Sequence, residues 1–254
     1  MPILQDKVAL ITGGSRGIGA AIAKRLAQEG AAVAITYSAT GARAAEVVAE
    51  IEAKGSKALA IQADSGDAQA VKAAVAETVK AFGRLDILVN NAAIARMGTI
   101  FDYSLEDLDE MIAVNIKGLF VATQEAVRHM PKGGRIINIG SVSSDYLPLA
   151  GGAVYGLTKG AVASLTRGLA RDLGPRGITI NNVQPGRIET DLFRDTVLRM
   201  NRGKGSLADK LLDAIAVNRF GLAEEVAGMV AYLAGPEAAY VTGANLKIDG
   251  GASA

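Results

Sequence analysis

The chain has 254 residues, one histidine and no cysteine, with 27 basic against 26 acidic side chains. The charge balance argues against a nucleic-acid or membrane-surface partner, and the missing thiols exclude a disulfide framework and a thiolate metal site. The length fits one large α/β domain over residues 1–254. No apolar run approaches a membrane span. The opening Met1–Lys7 lacks a basic segment followed by a signal-type apolar stretch, so a soluble cytoplasmic protein is expected.

The first strand, Val8-Ala9-Leu10-Ile11, runs into Thr12-Gly13-Gly14-Ser15-Arg16-Gly17-Ile18-Gly19 and an amphipathic helix over 17–29. The spacing G-x-x-x-G-x-G differs from the G-x-G-x-x-G fingerprint, but the strand–turn–helix context is the one that fingerprint requires. Glycines let phosphates approach the backbone, and the helix N-terminus supplies N–H groups and a positive dipole end. Gly13, Ser15, Arg16, Gly17, Ile18 and Gly19 are therefore candidate dinucleotide contacts.

The second strand, Ala32–Thr36, ends in Tyr37-Ser38. A site that prefers NAD places Asp or Glu there to bind the ribose 2′-hydroxyl. Here no acid appears before Glu46, while Arg16, Ser38 and Arg43 are at hand. A guanidinium suits a 2′-phosphate, so NADP(H) is expected over NAD(H).

A helix over 41–54, a strand at Ala58–Ile61, a helix over 67–82 and a strand at Ile87–Val89 follow. Asn90-Asn91-Ala92-Ala93 then leads toward a helix over 105–130, and Arg135–Ile139 is the fifth strand. Beyond lie Ser141, a helix over 155–173, a strand at Ile178–Asn181, a helix over 224–234 and a last strand at Leu246–Ile248. The strands are near-continuous apolar runs, as in a sheet covered on both faces. Their alternation with helices implies a seven-stranded parallel sheet. Residues 187–220 break the alternation with mixed charge and are expected to form a substrate lid.

Tyr155 and Lys159 are four apart on one helical face. A phenol beside a fixed ammonium has a lowered pKa, and such a tyrosine can pass a proton to or from a carbonyl oxygen. His129 has no second His or Cys to complete a metal site and reads as a surface residue; no metal is expected. Glu106-Asp107 and Glu224-Glu225 read as solvated helix starts. Phe101, Tyr146, Leu147, Leu192 and Phe193 are candidates for an apolar substrate wall.

These motifs together resemble the short-chain dehydrogenase/reductases, over nearly the whole chain. The match rests on Thr12-Gly13-x-x-x-Gly17-x-Gly19, Asp64, Asn90-Asn91-Ala92-Ala93, Asn115, Ser141, Tyr155-x-x-x-Lys159, Pro185-Gly186 and Ile248-Asp249-Gly250-Gly251. The nearest resemblance is to bacterial 3-oxoacyl-[acyl-carrier-protein] reductases and related ketone reductases. It implies a doubly wound Rossmann-type α/β fold and hydride transfer between nicotinamide and a ketone or secondary alcohol.

By the same resemblance, Tyr155 is the proton donor, Ser141 orients the carbonyl oxygen, and Lys159 holds the nicotinamide ribose and lowers the phenol pKa. Asn115 supports a water that relays protons to Lys159. Asp64 and Ser65 lie near the adenine, Asn91, Ala92 and Ala93 line the nucleotide, and Pro185, Gly186, Ile188 and Thr190 grip the nicotinamide end.

Two departures stand out. The family commonly has glycine where Ala93 stands, and its serine commonly lies thirteen residues before the tyrosine. Here Ser141 lies fourteen before, with Ser143 and Ser144 as rivals. A carrier-protein reductase also tends to carry a basic cluster at the active-site rim, for which Arg128, Lys132, Arg171 and Arg176 are candidates. An acyl thioester is one candidate substrate. The resemblance further suggests a homotetramer built through the helices near 105–130 and 155–173 and the C-terminal strand. An NAD-linked alcohol or sugar dehydrogenase of the same fold and a non-catalytic dinucleotide-binding protein stand as alternatives.

Overall fold

A computed structural model describes residues 2–39, 41–190, 193 and 212–254. Seven parallel strands form one sheet: β1 (Val8–Ile11), β2 (Ala32–Tyr37), β3 (Ala58–Gln62), β4 (Ile87–Asn90), β5 (Arg135–Ile139), β6 (Thr179–Pro185) and β7 (Asn245–Ile248). Their spatial order is β3-β2-β1-β4-β5-β6-β7. The chain therefore winds outward from β1 in one direction and resumes at β4 in the other. Such a reversal opens a crevice at the carboxyl ends of the strands.

The helices are α1 (Gly17–Gln28), α2 (Gly41–Glu52), α3 (Ala68–Phe82), α4 (Leu105–Ile112), α5 (Leu119–His129), α6 (Ala153–Leu173) and α7 (Ala223–Ala234). The period-two pattern of each strand divides the core. Ala9 and Ile11 of β1 pack with Ile22 and Leu26 of α1 and with Val226 and Val230 of α7. Val8 and Leu10 face the other way, toward Val71 and Val75 of α3 and Val121 of α5. Burying one such aliphatic side chain contributes roughly 1.5–3 kcal/mol, and both faces of β1 are wholly buried. Local signals set the helix ends. Asp67 Oδ1 accepts from Gln69 N at 2.8 Å and Gly83 closes α3 at φ 80°, while Ser104 Oγ accepts from Asp107 N at 3.0 Å at the start of α4.

The helix expected over 105–130 is interrupted. Residues Ala113–Gly118 form a π-helical turn between α4 and α5. Gly118 packs so closely on the Ser65 carbonyl that an added Cβ would collide with it, which draws this turn onto the loop after β3. A π-turn of this kind often marks a functional site.

An asparagine ladder holds the sheet in register beneath the crevice. Asn90, Asn138, Asn182 and Asn245 are direct neighbours across β4, β5, β6 and β7. Asn90 Nδ2 donates to Asn138 Oδ1 at 2.8 Å, Asn138 Nδ2 to Thr166 Oγ1 of α6 at 2.9 Å, and Asn182 Nδ2 to Asn245 Oδ1 at 2.7 Å. A one-residue slip would break every one of these bonds, so the ladder fixes how the loops after β4 and β5 face each other. Among the described residues, no helix is long and apolar enough to cross a membrane. Much of the expected lid at 187–220 lies outside the described residues.

Candidate active site

The crevice at the strand ends is a cleft of about 580 Å³. At one end it is built from backbone. Gly13 N donates to Thr36 Oγ1 at 3.0 Å and Gly14 N to Thr36 O at 2.9 Å, which tie the loop to β2. Asn91 Nδ2 donates to the carbonyls of Thr12 and Gly13, both at 2.9 Å, and Thr12 Oγ1 accepts from the N–H groups of Asn91 and Ala92, both at 3.0 Å. The loop is thus clamped between β2 and the segment after β4. Gly17 opens α1 at φ 54°, and a Cβ on Gly19 would strike the Gly13 carbonyl oxygen. No side chain caps the first N–H groups of α1, and no acid stands in its first turn. A cradle this bare and close, at a helix N-terminus, fits a phosphate-bearing ligand.

Gly13, Ser15, Arg16, Gly17, Ile18, Gly19, Tyr37, Ser38, Asp64, Ser65, Asn91, Ala92 and Ala93 all line this end of the cleft. Asp64 Oδ1 accepts from Gly66 N at 2.8 Å. Arg16 and Ser38 are exposed at the rim, and Arg43, exposed on α2, does not line the cleft.

The other end is built from side chains. Ser141, Tyr155, Lys159, Pro185, Gly186, Ile188 and Thr190 line it. Ser141 follows β5, is 8% exposed, and stands beside the Tyr155 phenol, whose pKa it draws down. Of its rivals, Ser144 is engaged elsewhere, its Oγ donating to Asp145 Oδ1 and accepting from Gln184 Nε2, both at 2.6 Å, while Ser143 also lines the cleft and its N donates to Ser141 Oγ at 3.1 Å. Lys159 is 4% exposed. Its Nζ donates to the Ile139 carbonyl at 2.9 Å and lies 5.7 Å from the centre of the Tyr155 ring.

Asn115 is absent from the cleft wall. It is 2% exposed within the π-turn. Oδ1 accepts from Ile94 N at 2.9 Å, while Nδ2 donates to Ile94 O at 2.9 Å and Thr158 Oγ1 at 3.2 Å. The amide ties the loop after β4 to α6, one residue before Lys159.

A family model described as "Enoyl-(Acyl carrier protein) reductase" matches residues 13–253. The chain is 55% identical to a short-chain dehydrogenase/reductase from Serratia marcescens BCRC 10948, with a TM-score of 0.93 over 99% of this chain and 100% of that one. It is 51% identical, at TM-score 0.93 and the same coverage, to a short chain dehydrogenase from Burkholderia cenocepacia J2315 whose structure is a complex with NADP. A cyclic-di-GMP-binding biofilm dispersal mediator protein from Escherichia coli K12 is 46% identical over 98% of each chain. The chain belongs to the short-chain dehydrogenase/reductase family. It is an oxidoreductase of that family, and its seven-stranded parallel sheet is the family fold.

Within this short-chain dehydrogenase/reductase, three expectations need correction. Burial pushes the Tyr155 phenol above its usual value, and Ser141 offsets this only in part. Lys159 is itself lowered by burial, to about 8, and its Nζ is turned to the Ile139 carbonyl. The basic cluster is also misplaced for a rim. Arg128, Lys132, Arg171 and Arg176 precede β5 and β6, at the amino ends of the strands, away from the cleft. Arg128 pairs with Glu125 at 3.0 Å, and Arg176 donates to the carbonyls of Val127 and Met130. Of the apolar wall, Leu147 and Phe193 line the cleft, Tyr146 does not, Phe101 is 90% exposed, and Leu192 lies outside the described residues.

The cleft also has lining residues that motif reading passed over: Met97, Leu149 and Arg187. Arg187 had a signal, since it stands between two expected nicotinamide contacts. Met97 and Leu149 had none, because apolar loop residues look alike in sequence. His129 sits at the end of α5 with Nε2 3.5 Å from Glu125 Oε1. No cluster of three or more metal-ligating side chains occurs among the described residues.

Proposed function

We propose that this chain is an NADPH-dependent carbonyl reductase that converts a ketone to a secondary alcohol, and runs in reverse as an alcohol dehydrogenase. The observation that carries it is the meeting of Ser141, Tyr155 and Lys159 in the cleft that the glycine cradle opens. The NADP complex of the Burkholderia relative supports the cofactor, as does the lack of any acid at the end of β2.

The cradle, with Arg16 and Ser38 at its rim, would hold the phosphate-bearing end of NADP(H), and Pro185, Gly186, Ile188 and Thr190 the nicotinamide end. The cofactor, when bound, supplies the hydride. The remaining chemistry belongs to the protein. A phenol whose pKa burial has raised is fully protonated at neutral pH, so Tyr155 has a proton to deliver to the carbonyl oxygen. Ser141 donates to that same oxygen and fixes its distance from the phenol. As the phenol loses its proton, the ammonium of Lys159 stabilises the anion that forms. Asn115 is a positioning residue: both amide protons are engaged, so it holds Ile94 and α6 in place and reaches no reacting atom through its side chain.

The test is NADPH and NADH oxidation, side by side, against acetoacetyl thioesters, cyclic ketones and aryl ketones. Turnover with NADPH on any of them is expected. Faster turnover with NADH would remove the roles given to Arg16 and Ser38. A 3-oxoacyl thioester remains a candidate substrate, although among the described residues the basic cluster expected at the rim lies away from the cleft.

We also propose a homotetramer, located in the cytoplasm. Leu105 at 72%, Phe120 at 42% and Leu157 at 56% exposure leave apolar surface on α4, α5 and α6, which suits burial against other copies. Light scattering should give the mass of four chains.

A further inference from the structure

The cleft contains a cation that the mechanism leaves unused. Arg187 directly follows Pro185-Gly186 at the end of β6 and lines the cleft. Its carbonyl accepts from Gly221 N at 3.0 Å, so its backbone is pinned. The side chain is half-buried, and burial lowers its pKa from the ordinary arginine value. The titratable groups that act on it are the Tyr146 phenol and the Asp249 carboxylate. Neither is an ion-pair or hydrogen-bond partner. Asp249 instead accepts from Gly251 N at 3.0 Å, Ser253 N at 2.9 Å and Ser253 Oγ at 2.6 Å.

The other half-buried arginines among the described residues are all held. Arg25 donates to Glu29 and Arg96 to Glu110, each with a shortest contact of 3.0 Å or less, and Arg135 donates to the carbonyls of Gly133 and Gly134. Of these four half-buried arginines, Arg187 alone has a guanidinium that donates to nothing among the described residues. The carboxylates that line the cleft are already committed, Asp64 to Gly66 N and Glu110 to Arg96. Among the described residues, the catalytic end therefore holds two cations, Lys159 and Arg187, and no carboxylate that pairs with either. Partly burying a guanidinium without a partner is costly, and its planar fork matches a carboxylate.

We propose that Arg187 is a specificity residue that takes an anionic group of the substrate, so that the preferred ketone carries a carboxylate on the chain attached to its reacting carbonyl. This rests on the reductase reading above. It commits to a keto acid over a neutral ketone, a distinction that the family motifs leave open.

The experiment compares 4-oxopentanoate with its methyl ester, and 5-oxohexanoate with its methyl ester, as NADPH-linked substrates. The wild-type protein should favour each acid. In Arg187→Met the acid-to-ester ratio of kcat/KM should fall on the order of 30-fold, mainly through KM, as for loss of a charge-assisted hydrogen bond. Arg187→Lys should recover part of the ratio. A second readout needs no turnover: pentanoate should raise the melting temperature of the NADP-loaded wild-type protein and leave that of Arg187→Met unmoved.

Wild-type preference for the esters, or an equal loss on acid and ester, would overturn the assignment of Arg187 while leaving the reductase reading intact. No oxidation of NADPH with any ketone, acid or neutral, would overturn the reductase reading. The pentanoate shift would then still decide whether Arg187 binds an anion.

Discussion

The two ends of the cleft are made of different material. Around the glycine loop, the wall is backbone: Gly13 and Gly19 lie against neighbouring main chain, and the charged side chains there, Arg16 and Asp64, are exposed. Around α6 the wall is side chain, and the groups that matter are buried: Ser141 at 8% and Lys159 at 4% exposure. The first end works by shape and by the N–H groups of a helix terminus, so steric change should hurt it most. The second works by proton affinity and charge in a dry setting, so the loss of single atoms should hurt it most.

The largest effect should come from the catalytic end. Tyr155→Phe removes one oxygen, and kcat for ketone reduction should drop by roughly 10²–10⁴-fold. NADPH affinity should hold within a few-fold, as read by fluorescence titration. Loss of cofactor binding on the same scale would erase the contrast between the two ends. Next, at the glycine end, Arg16→Glu should move the NADPH-to-NADH ratio of kcat/KM toward NADH by roughly 10–100-fold, the scale of one charge-assisted contact to the 2′-phosphate. A change in kcat with no change in that ratio would assign Arg16 to the other end.

Gly19→Ala sets a methyl group against the Gly13 carbonyl and the Asn91 amide. Overpacking of this kind costs about 1–3 kcal/mol, which denaturant titration should show together with weakened NADPH binding. The smallest effect is on stability at the catalytic end and has an unusual sign. Unfolded, Lys159 keeps its proton up to the ordinary 10.5; folded, it releases it near 8. Between those values the unfolded chain binds more protons, so this group's destabilisation is full below pH 8 and is relieved as pH rises to 10.5. Lys159→Met should therefore raise the melting temperature at pH 7 by a few degrees, at about 2–4 °C per kcal/mol, while abolishing turnover. In the wild-type protein, reduction should slow above pH 8 as the ammonium beside Tyr155 is lost. A lower melting temperature for Lys159→Met would mean that the bond to the Ile139 carbonyl outweighs the buried charge.

Much of this was legible along the chain because it is local. A strand, a glycine turn and a helix start are set by neighbours within a few residues, and Tyr155 and Lys159 share a face because a helix repeats every 3.6 residues. The alternation of apolar runs with amphipathic stretches likewise determined a parallel sheet covered on both sides. The π-turn at Ala113–Gly118 was not legible, because it arises where Gly118 is drawn against Ser65, more than fifty residues away in sequence.

The tertiary structure alone decided the questions that depend on sums over many distant groups. It placed Ser141, rather than Ser143 or Ser144, against the phenol. It raised the Tyr155 pKa where the neighbouring lysine alone argued for lowering it. It moved the basic cluster to the far edge of the sheet and brought Arg187 to the cleft, without a partner among the described residues. Burial and charge environment have no period in the sequence. They are fixed only when strands ordered β3-β2-β1-β4-β5-β6-β7 bring remote loops to one edge. Motif spacing therefore determined which residues could act, and packing determined their protonation and their neighbours.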